Sequence, residues 1–293
     1  MKRLQGYGIF SLIVSLAFGL FAFPLAASAE TSNTVVTLGA DLSQEQRQAM
    51  LDEMKLDSSV DTIDVSIDDI RQYLGKGTSG GTPSGANNKA YSSASITLTE
   101  EGNGIRVQAK NVTRVTEQMY ANALVTAGVK DADVYVTSPE PVTGTAALTG
   151  IMMAFEKASD QTISQEQREV ANEEMMQTSE LGEKLGDPDK AAEFMNQVKD
   201  EIAKQQPKSE EEVRNIIINV AGDLNINLND QDIQNITNVM YKFSQLNIDW
   251  DALGNQLNKL KDALSSEEAQ GFFEELWAWL AELFESLKSA FSS

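Results

Sequence analysis

Ser95-Ile-Thr-Leu-Thr99 and Gly104-Ile-Arg-Val-Gln-Ala-Lys110 alternate apolar and polar residues, the two-residue period of a strand with one buried face. The Glu100-Glu-Gly-Asn103 cluster between them tolerates the positive φ of a tight reversal, so the pair predicts a β-hairpin. Thr116 is placed to cap the next helix, where Met119, Tyr120, Ala123, Leu124 and Ala127 recur at helical spacing and Gly128 supplies a left-handed end. Val134 and Val136 mark another alternating strand. Ser138-Pro-Glu-Pro141 cannot continue it, and Thr143 predicts the cap of a helix containing Gly144, Ala146, Ala147, Gly150 and Ala154. Close helix-to-sheet packing is the favoured reading of those small residues. The alternative is a ligand held at the backbone amides of the helix start.

Outward toward the N-terminus, Val35-Val-Thr-Leu38 reads as a strand, and Ser43 with Gln46 forms a capping box for a helix bearing Met50, Leu51 and Met54. Ile63, Val65 and Ile67 alternate with Thr62, Asp64 and Ser66 as a further strand before a short helix near Tyr73-Leu-Gly75. A Gly/Ser-rich loop spans residues 75–90, and its Gly75-Lys-Gly-Thr78 lacks the upstream glycine of a nucleotide loop. Lys2 and Arg3, the apolar run Ile9 to Phe23, Pro24 and Ala27-Ser-Ala29 have the three-part layout of a secretory signal peptide over residues 1–29. Cleavage is expected between Ala29 and Glu30, and Pro24 argues against an uncleaved anchor.

Toward the C-terminus strand signals stop after Glu156. Ser164-Gln-Glu-Gln-Arg168 repeats the Ser43-Gln-Glu-Gln-Arg47 helix opening, Asp187-Pro188 and Ser209 with Glu212 open others, and two more are expected from about Asp230 and Asp249. In a helix over residues 266–291, Phe272, Phe273, Leu276, Trp277, Trp279, Leu280 and Phe284 share one arc, while Glu274, Glu275, Glu282 and Glu285 lie opposite. A membrane-surface helix carries cations on its polar face, and this one has Lys288 alone. Docking onto protein is therefore favoured over lipid contact.

The runs Thr116 to Thr137 and Thr143 to Gly150, with Val36-Thr-Leu-Gly-Ala-Asp-Leu-Ser43, Tyr73-Leu-Gly75 and Thr178-Ser-Glu-Leu-Gly182, resemble the YpuA-like extracellular proteins of Gram-positive bacteria, a domain of unknown function. The resemblance implies a location outside the cytoplasmic membrane and brings no catalytic residues.

Composition bounds the chemistry. The 293 residues include no cysteine and no histidine, which removes thiol nucleophiles, disulfides, histidine-dependent triads and the commonest zinc ligand. A formal charge of -21 makes nucleic acid a poor partner, and no cofactor is expected. Neither Asp57 to Asp64 nor Asn225 to Asp232 has the pattern of a calcium loop, and adjacent acids such as Glu173 and Glu174 point apart on a helix. If the strands ending at Leu38 and Val136 run parallel, Gly39, Asp41, Thr143, Gly144 and Thr145 meet at one sheet edge as a candidate binding site, although Asp41 and Thr143 also suit plain helix capping.

The expectation is an α+β chain: a mixed five-stranded sheet with packed helices over residues 30–158, then an all-helical region over 159–293. An exported or cell-wall-associated, non-catalytic binding or structural module is expected, its partner an envelope component or another protein. The alternative is a carboxylate-dependent hydrolase acting on an envelope polymer.

Overall fold

The computed structural model describes residues 33–74 and 89–265. The expected signal peptide with its Ala29–Glu30 junction, most of the 75–90 loop and the final amphipathic helix lie outside the described residues. Five strands, β1 (Thr34–Gly39), β2 (Asp61–Val65), β3 (Ser93–Leu98), β4 (Ile105–Ala109) and β5 (Ala132–Thr137), form one mixed sheet in the order β2-β1-β3-β5-β4. The helices interleaved with them are α1 (Gln44–Glu53), α2 (Ile67–Leu74), α3 (Glu117–Thr126) and α4 (Thr145–Ser159). Then come α5 (Gln165–Leu185), α6 (Pro188–Gln205), α7 (Glu210–Asp223), α8 (Asp230–Ser244) and α9 (Trp250–Ser265). The α+β class with a helical C-terminal region is thus as expected.

The hairpin is not formed. β3 and β4 both pair with β5, the first antiparallel and the second parallel, so β5 lies between them. The cause is the β4-α3-β5 crossover, which returns the chain beside β4 in the parallel sense. The Asp131 carboxylate then enters the reversal and accepts the N–H groups of Gly102 (2.9 Å) and Gly104 (2.7 Å), holding its arms apart. A smaller difference lies at Ile67, which belongs to α2. Ser66 and Asp69 exchange capping bonds there, Asp69 N–H donating to Ser66 Oγ at 3.1 Å and Ser66 N–H to Asp69 Oδ2 at 2.8 Å, and the strand ends at Val65.

Paired residues share a face, so the register sorts the sheet. Val35, Ala94, Ile96, Val134 and Val136 join the main core, which α3 and α4 complete with Tyr120, Leu124, Leu148 and Ile151. Fully burying each valine, leucine or isoleucine of this set stabilises the fold by roughly 1.5–3 kcal/mol. Gly150 allows the close approach its small size suggests, because a Cβ there would lie 2.8 Å from Thr37 Oγ1. Every residue from Met119 to Thr126 is buried, since α3 has the sheet on one side and α5 and α6 on the other. The same core continues through Phe194, Ile217, Met240 and Phe243 to Leu257. On the opposite face α1 lays Met50 and Leu51 over Val36 and Leu38. Among the described residues no helix is long and apolar enough to cross a membrane.

Candidate functional site

The strands β1 and β5 are both antiparallel to β3, and hence parallel to each other two strands apart, so the loops after them leave the same sheet edge. Of the residues expected there, Asp41 and Gly144 have hydrogen-bond partners within the chain. Asp41 Oδ2 accepts the Ala90 N–H at 2.6 Å, its own N–H donates to Ala90 O at 3.2 Å, and Gly39 lies directly beneath that Ala90 backbone. Thr143 is exposed and does not cap α4. The N-cap is Gly144, at φ 93 with no side-chain cap bond, and its carbonyl accepts the Tyr120 hydroxyl at 2.6 Å. Thr145 is buried as the first residue of α4.

The open surface lies elsewhere. Because α1 stops over β1, the other half of that face carries no helix among the described residues. Register brings Ser95 and Thr97 of β3, Asp133 and Tyr135 of β5, and Arg106 and Gln108 of β4 onto it. Arg106 holds Asp133 by two parallel bonds, 2.6 Å from Nε and 2.7 Å from Nη2. At the boundary with α1, Glu53 accepts from Tyr135 Oη at 3.0 Å, Thr137 Oγ1 at 2.6 Å and Lys110 Nζ at 2.8 Å. Burial pushes the Glu53 carboxyl up, and those three donors, led by Lys110, outweigh it and leave the group below its usual range. Tyr135 is pushed up by burial and then by the Glu53 charge. Beside Thr137, Ser93 Oγ is buried with no hydrogen-bond partner among the described residues.

A hollow of about 910 Å³ wraps the outer edge of β4, from this polar face round to α3, the start of α6 and Leu260 of α9. On its α3 side Glu117 accepts the Ala109 N–H at 2.9 Å. Burial raises the Glu117 carboxyl above its ordinary value against that bond, with Asp189 adding to the effect. Among the described residues no group of three acids could hold a metal ion.

One charged cluster is closed to solvent altogether. Lys199 of α6 is 0% exposed and Glu174 of α5 is 1% exposed, and they meet at 2.7 Å. Lys199 Nζ also donates to Asn122 O at 2.8 Å and Thr126 Oγ1 at 3.2 Å, both on α3, and Thr126 Oγ1 donates to Glu174 Oε2. Asn196 donates to Asn122 Oδ1 at 3.1 Å, and Asn122 donates to Ala192 O at 2.9 Å. Burial drives the Lys199 ammonium down, and Glu174 opposes the shift. These bonds hold α3, α5 and α6 in register.

The alternation of Ser93-Ser95-Thr97, Arg106-Gln108-Lys110 and Asp133-Tyr135-Thr137 is visible in the sequence and marks the polar face. Which half of that face stays open depends on where α1 ends, and only the fold fixes it.

The chain is similar to the protein described as "Uncharacterized protein YpuA" from Bacillus subtilis (strain 168), with 38% identity over 270 residues, covering 90% of this chain and 92% of the relative. No solved structure matches. The family model described as "Protein of unknown function (DUF1002)" matches residues 38–260, and the chain belongs to that family.

Proposed function

We propose that this is an exported, non-catalytic binding module of the Gram-positive cell envelope that holds a wall component or another envelope protein on the open polar half of its sheet. The observation that carries the reading is the array of Ser95, Thr97, Arg106, Gln108, Asp133 and Tyr135 on three neighbouring strands. Rigid strands fix their spacing, and the Arg106–Asp133 and Tyr135–Glu53 bonds orient their polar atoms in advance, which lowers the ordering cost of binding. Donors, acceptors and one phenol ring suit a partner rich in hydroxyl and amide groups. The acidic chain as a whole argues against nucleic acid.

The test is retention of residues 30–293 by purified wall polymer, lipid vesicles and envelope extract, compared with the Arg106→Ala, Gln108→Ala double variant. The expected result is retention by wall polymer or envelope extract that weakens at least about tenfold, roughly 1.4 kcal/mol, in the variant. No retention, retention by vesicles alone, or retention that the two substitutions leave unchanged, rejects the proposal.

A second reading, a carboxylate-dependent hydrolase acting on an envelope polymer, has one favouring observation: Glu117 lines the β4 hollow with its carboxyl raised by burial, as a general acid requires. Against it, that carboxylate already bonds Ala109 N–H, and Asp133, another acid of the hollow, is tied to Arg106. New chain ends released from wall polymer by the natural chain and not by Glu117→Gln would select it.

A further inference from the structure

β4 is an edge strand of the sheet. It bonds β5 through Gly104 O, which accepts Ala132 N–H at 3.0 Å, and through Lys110 N–H, which donates to Val136 O at 2.9 Å. Alternate residues of a strand turn their backbone groups to the same side, so the N–H and C=O groups of Ile105 and Val107 point away from β5. Ala109 N–H points outward with them and is taken by Glu117. No strand pairs with Ile105 or Val107 on that side among the described residues.

Native sheets blunt such an edge with a proline, a bulge or a projecting charge. β4 has no proline, and its register with β5 runs unbroken from Ile105 to Ala109. The charges nearest the edge are drawn back over the sheet, Arg106 onto Asp133 and Lys110 onto Glu53. The edge is left in the state in which a sheet accepts another strand.

The surroundings decide what that strand must carry. Paired residues share a face, so side chains set opposite Ile105 and Val107 fall on the α3 side of the sheet, where Val112, Val115, Ala121 and Leu260 line the hollow. The residues between them fall level with Arg106 and Gln108 on the polar face. A side chain opposite Ala109 falls beside Glu117, and Asp189 stands close enough to act on that carboxyl. Among the described residues neither acid has a cationic partner, whereas Arg106 is bound to Asp133 and Arg114 to Glu183.

We infer that β4 accepts an extended segment of a partner protein as a sixth, antiparallel strand, with apolar residues opposite Ile105 and Val107 and a lysine opposite Ala109 that reaches Glu117 and Asp189. Antiparallel pairing is the more stable sense and lets Ile105 and Val107 each exchange two hydrogen bonds with the residue opposite. N–H and C=O groups recurring on one side roughly every 6.7 Å are what an extended peptide backbone presents. The inference rests on the binding reading above and gives its partner a chemistry: apolar and polar residues in alternation, the polar ones meeting Arg106 and Gln108, with one cation at the N-terminal end.

The experiment is an amide NMR titration of residues 30–293 with the peptide acetyl-Lys-Thr-Val-Thr-Val-amide, and with the same peptide N-methylated at both valines. The expected result is a set of amide shifts centred on Ile105 and Val107. The methylated peptide should bind at least about tenfold more weakly, because it has lost its donors to the Ile105 and Val107 carbonyls. No binding of the first peptide, equal binding of the two, or shifts that spare Ile105 and Val107 overturns the inference. A second measurement uses Val107→Pro, which removes an outward N–H and leaves the β5 ladder its bonds. Retention of this variant by envelope extract should fall at least about tenfold. Retention that Val107→Pro leaves unchanged and the Arg106→Ala, Gln108→Ala pair abolishes overturns the sixth strand while the binding module stands. The peptide comparison alters nothing in the protein, so it decides alone if Val107→Pro fails to fold.

Discussion

At the scale of single residues the decisive pair is Lys199 and Glu174. Each is an ion removed from water, so neither is tolerable alone. Lys199→Met leaves the Glu174 carboxylate facing Thr126 and apolar neighbours, and should cost about 3–5 kcal/mol. Lys199→Met with Glu174→Leu fills similar volume without charge and should recover most of that loss. Urea midpoints of the two variants decide it; a double variant no more stable than the single would show that the bonds to Asn122 and Thr126, rather than the charge pairing, hold the helices. The cluster was partly legible. Read as one of two neighbouring acids, Glu174 carries no signal, yet helical spacing sets it beside Val170, Ala171 and Thr178, all buried. Glu173, on the outer face, pairs with Lys242 at the surface instead. An acid on the apolar stripe of one helix and a lysine on that of the next, Lys199 near Met195 and Ile202, is the pattern that marks a buried pair.

At the scale of elements, caps and periodicity translate well and strand pairing does not. Ser43 with Gln46 and Ser164 with Gln167 form the capping boxes their spacing predicts, because the bonds are local. The hairpin failed because a reversal is compatible with two arrangements, and the choice was made by α3 returning the chain to the inner side of β4. The polar face shared this weakness: its alternation is local, whereas its exposure depends on where α1 ends. At the start of α4 the local rule also misled. Thr143 is a good capping residue, but the turn needs a left-handed residue next to it, and Gly144 takes the cap. A Cβ at Gly144 would sit 2.4 Å from Val112 Cγ1 and 2.6 Å from Tyr120 Oη, besides the strain of its φ of 93°. Gly186, at φ 68 with no atom within 4 Å, isolates the backbone part of that penalty. Gly186→Ala should therefore lose about 1 kcal/mol, and Gly144→Ala at least about 2 kcal/mol more, in thermal or urea unfolding. Equal losses would mean that the Val112 and Tyr120 side chains yield freely.

At the scale of the molecule, the change from strands to helices near residues 159–163 is not a break in the packing. The core crosses it, with α3 as the shared layer: Leu124 faces the sheet side, while Asn122 and Thr126 bond to Lys199 and Glu174 of the helical region. Removing α5 to α9 would expose Met119, Asn122 and Thr126 and the outer faces of α2 and α4, surface too apolar for a sheet whose other face is covered, among the described residues, only over β1 and β2. Residues 30–160 alone should accordingly give a poorly dispersed amide spectrum and non-cooperative thermal melting, while residues 30–293 unfold in one transition. A fragment with native-like dispersion would show that the sheet region folds independently and that the helices dock on it afterwards. The same dependence explains why the acidic surface is compatible with a stable fold. Mutual repulsion of so many carboxylates acts at the exterior and is screened by salt, whereas the cohesion of the two regions comes from buried apolar contacts and one internal ion pair that salt does not reach. Raising ionic strength should thus increase stability without changing the number of transitions.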